Sequence, residues 1–226
     1  MSKWEIVDTA SIPNNGGELR LFQRDNEFAI RIAGGQGDLM NSRTHGSEDA
    51  LGTLACEPFQ NKPGAKILVG GLGMGFTLAT ALQSLRPDAQ VIVAELVPGV
   101  VQWNIDLVGG CAGNPLDDDR VQVRDADVGE LINRATKTYD AILLDVDNGP
   151  EGLTHIQNDN LYSPEGLQAA YSALRPAGIL AVWSATSAPK FKTQLRKAGF
   201  SVDERRVRAH QGKGSTHLIW LAQRGR

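Results

Sequence analysis

Two aspartates close an apolar run in "YDAILLDVDNGP", and they are the residues of this chain best suited to acid–base work. Asp145 and Asp147 follow Ile142, Leu143 and Leu144 directly. Side chains alternate along a strand, so both carboxyls face one side while the extended form persists. Such a pair can hold a cationic amine or take a proton from it. The plainer alternative is a strand end whose Asx-type turn begins at Asp147 and runs through Asn148-Gly149-Pro150.

A second apolar run, "KILVG", breaks into Gly71-Leu72-Gly73-Met74-Gly75 before a helix-like pattern resumes. Glycines permit positive φ and let a ligand approach the main chain. Unpaired N–H groups at the start of the helix offer it polar partners. Phe76 stands where a dinucleotide fingerprint needs a third-turn glycine, and the Gly-Lys-Ser/Thr of a phosphate loop is missing. Glu95 comes twenty residues after Gly75, at the end of "QVIVAE", where an acid can accept from both hydroxyls of a ribose. By position, Asp125 would accept from an adenine amino group, with the Ala126 backbone against the ring edge. A ligand-free tight turn and solvated surface acids are the competing readings of these features.

The elements that must position these groups follow from hydrophobic rhythm. From Pro63 onward, short β-rich runs alternate with helical patterns, which indicates a parallel sheet covered on both faces. "FSVDERRVRA" and "STHLIWLAQ" flank a short loop, so these last strands should pair antiparallel. Ahead of that region, Leu19 and Leu21, then Phe28, Ile30 and Ile32, alternate around the turn Arg24–Glu27, the pattern of a hairpin. "WEIVDTASIP" would add a strand ending near Pro13. "SEDALGTLAC" reads as a helix capped by Ser47. The expected organisation is an N-terminal β appendage over residues 1–45 and an α/β domain over 46–226.

The bulk numbers agree with one such domain. The chain has 226 residues, 41% hydrophobic and 22% charged, with a net charge of −3 that argues against broad nucleic-acid or membrane attraction. No run approaches the ~20 apolar residues of a membrane span. Cys56 and Cys111 lack metal-ligand spacing, and no metal is expected; free thiols in a reducing, cytoplasmic setting are the reading. Trp183 and Trp220 lie in apolar strand runs and should pack in the core. His45 and His155 read as loop or pocket-rim residues. The exposed edge of the N-terminal hairpin would suit a homodimer.

These motifs together resemble the spermidine synthase group, the polyamine aminopropyltransferase branch of the Rossmann-like class I S-adenosylmethionine-dependent methyltransferase fold. The glycine turn is similar to that group's Gly-Gly-Gly-Asp-Gly-Gly loop, "ELVPGVV" to its Glu-Ile-Asp and Val-Val segment, and "DVDNGP" to its Asp-x-x-Asp-Pro strand end. "LYSPEGL" and "LRPAGIL" match two further segments. The resemblance implies a mostly parallel seven-stranded sheet with an antiparallel last strand. It also implies decarboxylated S-adenosylmethionine, or S-adenosylmethionine itself, as the bound nucleotide, with methylthioadenosine or S-adenosylhomocysteine as product.

By this resemblance Asp145 is the base that deprotonates the attacking amine, and Asp147 or Asn148 binds the far end of the acceptor. Glu48 and Tyr162 would close over it. Gly71, Gly73, Met74, Gly75, Glu95, Asp125 and Ala126 would hold the nucleotide. The departures fall on the tail and the acceptor: Met74 replaces an acid, and Gly46-Ser47-Glu48 replaces Tyr-His-Glu. Three readings stay open: aminopropyl transfer to a small amine, methyl transfer to a small or unusual acceptor, and nucleotide binding without catalysis.

Overall fold

A computed structural model describes residues 2–35, 37–146, 160–185, 188–210 and 213–226. Asp147, Asn148 and His155 lie outside the described residues. Four antiparallel strands come first, in chain order: β1 (Glu5–Ile12), β2 (Gly17–Arg24), β3 (Glu27–Ile32) and β4 (Met40–Asn41). The expected hairpin is present, with Leu19 paired to Ile32 and Arg24 to Glu27. Its alternation turns Leu19, Leu21 and Ile30 inward, where they join the core of the main sheet.

The larger sheet comprises β5 (Lys66–Gly70), β6 (Gln90–Glu95), β7 (Val121–Asp125), β8 (Tyr139–Leu144), β9 (Leu174–Ser184), β10 (Ser201–His210) and β11 (Lys213–Gln223). Its spatial order is β10-β11-β9-β8-β5-β6-β7. Strands β5 to β9 run parallel, and β11 is antiparallel to both neighbours. This is the Rossmann-like methyltransferase fold, with the small antiparallel sheet added at its N-terminal end. From β5 the chain builds outward through β6 and β7, then returns to lay β8 on the other side. Ligands bind at such a switch point, beyond the carboxyl ends of the strands. Here those ends carry the glycine turn after β5 and Asp145 after β8.

Among the described residues six α-helices cover the sheet: α1 (Gly46–Cys56), α2 (Phe76–Gln83), α3 (Pro98–Trp103), α4 (Val128–Asn133), α5 (Pro164–Ala173) and α6 (Pro189–Lys197). Strand β8 is buried along its whole length, as a central parallel strand must be. Alternate residues feed two cores: Ile67, Val69, Ala141 and Leu143 face one way, Leu68, Ile142 and Leu144 the other. Trp220 is buried in the second core, and both cysteines are free.

One local expectation is corrected. Ser47 does not cap α1, because the helix already includes Gly46 and the residue ahead of it, His45, makes no side-chain cap. After Trp103 the helix α3 gives way to a π turn over Asn104–Val108. A side chain explains the change: Asn104 Nδ2 donates to the carbonyls of Gly73 at 2.7 Å and Val100 at 2.9 Å. The irregular turn thereby becomes a brace for the glycine loop.

Candidate active site

The turn between β5 and α2 has a left-handed glycine at every second position, with φ of +87° at Gly71, +53° at Gly73 and +86° at Gly75. Close approach adds to the conformational demand. A Cβ on Gly71 would lie 2.4 Å from the Asp145 carbonyl oxygen, and one on Gly73 would lie 2.4 Å from Met40 Cε. Met40 Sδ, from the small sheet, accepts a hydrogen bond from the Met74 N–H at 3.1 Å. A flexible thioether therefore sits over the front of the loop.

Glu95 ends β6 and is buried apart from 8% of its surface. Its two carboxylate oxygens accept from the Leu72 N–H at 2.8 Å and the Val97 N–H at 2.9 Å. Burial raises its pKa, and the backbone donors oppose that rise. One acid thus ties the glycine turn to the start of α3 while lining the cavity in front of both.

That cavity, about 170 Å³, gathers Gly71, Gly73, Glu95, Ala126, Glu48 and Asp145. Its far wall is apolar and comes from the small sheet: Ile12, Leu19, Ile30, Ile32, Leu39 and Met40. A broader depression of about 640 Å³ shares Leu96, Ala126 and Asp127 with it and adds Asp125 and Asn133. Asp127, which the sequence reading missed, caps α4 by accepting from the Gly129 N–H at 2.7 Å. Its position before an apolar helix was the available signal.

Two acids meet at the closed end. Thr77, on the first turn of α2, donates to Asp145 Oδ2 at 2.6 Å, and its hydroxyl is 3.2 Å from the Glu48 carbonyl oxygen. Burial pushes the Asp145 carboxyl up to about 6, with the Thr77 hydrogen bond opposing the rise. Glu48 is pushed up to about 7, first by burial and then by the Asp145 charge, while the Ser47 hydroxyl works the other way. Both acids are therefore poised to exchange a proton near neutral pH.

Other expected residues fall elsewhere. The Met74 side chain is fully buried in the core and does not line the cavity, so only its backbone faces the loop mouth. Gly75 packs on Pro115 and Asn104. Tyr162, expected over an acceptor, is buried in the opposite core, edge-on to Phe191 at 5.5 Å. Ser163, which follows it, caps α5. Trp183 is half-buried and lines the cavity, because it lies near the carboxyl end of β9 and faces the crevice. His45 stacks on Phe76 at 4.0 Å and bonds to Asp49 at 2.7 Å. Among the described residues no cluster of three or more acids, histidines or cysteines is arranged for a metal, and no helix is long and apolar enough to cross a membrane.

Several solved structures share this fold. A spermidine synthase crystallised with the transition-state analogue AdoDATO superposes with a TM-score of 0.72 at 18% identity, covering 99% of this chain and 74% of that one. The Thermotoga maritima spermidine synthase gives 0.72 at 18% identity, over 99% and 75% of the two chains. A probable spermidine synthase from Corynebacterium glutamicum gives 0.65 at 13%, over 97% and 80%. At such identities the likeness is one of fold. No curated protein matches the sequence. The sequence pattern of a family described as S-adenosyl-L-methionine-dependent methyltransferase matches residues 101–216.

Proposed function

The chain belongs to the S-adenosyl-L-methionine-dependent methyltransferase family, and from that premise we propose that it methylates a small acceptor with an apolar body and one ionisable nucleophile. The observation that carries this reading is the single cavity in which the glycine turn, Glu95 and Asp145 converge.

The residues present suit the nucleotide. A side chain at Gly71 would intrude on the Asp145 backbone, and the group that crowds Gly73 is the flexible end of Met40, which a ligand can displace. Gly71 and Gly73 would offer backbone, Glu95 would take the ribose hydroxyls, and Asp125 with Ala126 would bound the adenine. When bound, S-adenosylmethionine supplies a methyl carbon made electrophilic by its sulfonium sulfur. The protein then has three tasks: to align the acceptor, exclude water and hold the acceptor's proton. Asp145 takes that proton, and Thr77 keeps its carboxyl aimed. Glu48 shares the charge.

Methyl transfer is favoured over aminopropyl transfer by the missing acid in the glycine loop, since the Met74 side chain packs in the core. The apolar wall suits a nonpolar acceptor better than a diamine. A second reading draws on one specific feature: Glu48 and Asp145 share the cavity, and two carboxyls can hold one ammonium. In that reading decarboxylated S-adenosylmethionine donates an aminopropyl group to a small amine.

Thermal-shift titration tests the choice. A ligand at 100 times its dissociation constant adds ~2.7 kcal/mol of stability. S-adenosylmethionine and S-adenosylhomocysteine should raise the melting temperature more than the decarboxylated nucleotide and methylthioadenosine. The reverse order would support aminopropyl transfer. No shift with any of them would remove the nucleotide from the account.

A further inference from the structure

A line of hydrogen bonds leaves the closed end of the cavity and reaches the protein surface. Ser47 Oγ donates to Glu48 Oε2 at 2.5 Å. Nδ1 of His217 lies 2.8 Å from the same Ser47 oxygen, and Nε2 lies 2.9 Å from Ser215 Oγ. Exposure rises along this line: Ser47 is fully buried, Glu48 nearly so, His217 half-buried and Ser215 exposed. The contact joins α1 to β11 across 170 residues of sequence.

Ser47 lies in the first turn of α1, where no earlier carbonyl of the helix is available to its hydroxyl, and it bridges an acid and an imidazole. The ring is set by its strand register, which pairs His217 with Val207 of β10. Trp183 of β9 meets it edge-on at 4.9 Å. Arg205, two residues along β10 from Val207, is engaged by Asp203 at 2.7 Å. From α1 the imidazole faces Ser47, with Glu48 behind it. Burial lowers the His217 pKa, which favours the neutral ring able to accept a proton.

We propose that Ser47 and His217 are the proton exit of the Glu48–Asp145 pair. This rests on the reading that Asp145 receives the acceptor's proton. The proton then resides on the carboxyl pair and passes from Glu48 to the Ser47 oxygen, while the Ser47 hydroxyl proton moves to Nδ1 of His217. The imidazolium releases its Nε2 proton to water at Ser215. Only O–H and N–H bonds form and break, and one proton enters for each that leaves. Reorientation of the serine hydroxyl and the ring tautomer resets the path. Both residues are positioning and relay groups, since neither lines the cavity.

The test needs no acceptor. Protein carrying 13C-labelled carboxyls and 15N-labelled histidine is titrated by NMR in the free state. The ring nitrogens of His217 should show an inflection at the Glu48 titration, and Glu48→Gln should abolish it. Proton exchange at the Glu48 carboxyl should slow by about tenfold or more in Ser47→Ala and His217→Phe, and Ser47→Thr should restore it. Melting curves identify any variant that fails to fold, and Ser47→Thr then carries the comparison with wild type through its kept hydroxyl. Unchanged exchange in a folded Ser47→Ala protein, or ring nitrogens indifferent to Glu48→Gln, would overturn the relay. Because neither measurement uses the nucleotide, a failure of S-adenosylmethionine to bind would strike the proposed function alone.

Discussion

Thr77 Oγ1 donates to Asp145 Oδ2 across 2.6 Å and stands 3.2 Å from the Glu48 carbonyl oxygen, so one hydroxyl ties the first turn of α2 to both acid-bearing segments. Replacing it with valine keeps the shape and removes the hydrogen bond that favours the charged carboxylate. The Asp145 titration should then move above its value of about 6. Carboxyl NMR of Thr77→Val checks the direction; a downward move would show that the hydroxyl plays another part.

The acid pair should also mark the stability profile. Asp145 rises to about 6 and Glu48 to about 7, so each binds its proton more tightly in the folded protein. Their contribution is fully present below the unfolded carboxyl values of about 4 and is lost as pH rises through the folded ones. The double variant Glu48→Gln, Asp145→Asn should therefore melt above wild type at about pH 8, with the gap closing toward about pH 4. Melting temperatures across that range decide it, and a gap that widens in acid would contradict the sign.

Glu95→Gln should damage structure and binding together. The amide offers one acceptor oxygen where the carboxylate supplied two, leaving either the Leu72 or the Val97 N–H unpaired. Stranding a buried donor costs ~1–3 kcal/mol. Urea unfolding should show a loss of that size, and calorimetry should show S-adenosylhomocysteine binding weakened at least about tenfold through the lost ribose contact. Binding unaffected in a destabilised variant would reduce Glu95 to a structural brace.

Met40→Ala should act in the opposite direction on binding. The thioether covers the Met74 N–H and crowds Gly73, so a nucleotide must first displace it. Removing that competitor should tighten S-adenosylhomocysteine by about threefold to tenfold. Equal or weaker affinity would mean that Met40 packs on the bound ligand.

Gly52 lets α1 lie against α2, because a Cβ there would come 2.1 Å from Thr80 Oγ1 and 2.5 Å from the Thr77 carbonyl oxygen. Gly52→Ala should push the helices apart, at a cost of ~1–3 kcal/mol. It should also draw Glu48 back toward the ordinary carboxyl range as its burial loosens. Denaturation midpoints and the Glu48 titration, taken together, test that coupling.

The family resemblance supplied the seven-stranded plan, and local pattern carried the elements of the fold: full-length apolar runs for buried parallel strands, alternation for the hairpin, and a glycine turn after β5. Each rests on a few consecutive residues, and backbone geometry converts such runs into elements without help from distant segments. The placement of Gly71, Gly73, Glu95 and Ala126 around one crevice follows from the same logic, since parallel strands bring their carboxyl ends to one edge.

Tertiary contact decided the rest. The direction of the Met74 side chain depends on the core behind the turn, and the place of Tyr162 depends on Phe191 in another helix. The part played by Asn104 depends on its side chain meeting the Gly73 carbonyl, thirty-one residues away. Glu48 and Asp145 are nearly a hundred residues apart, and Ser47 and His217 farther still, so no spacing in the chain announces either pairing. The sequence by itself determined a crevice beyond the carboxyl ends of the parallel strands, with a glycine turn and acids around it. Which groups meet there was set by long-range packing of α1 on α2 and β11, where burial raises the Glu48 and Asp145 carboxyls and lowers the His217 imidazole.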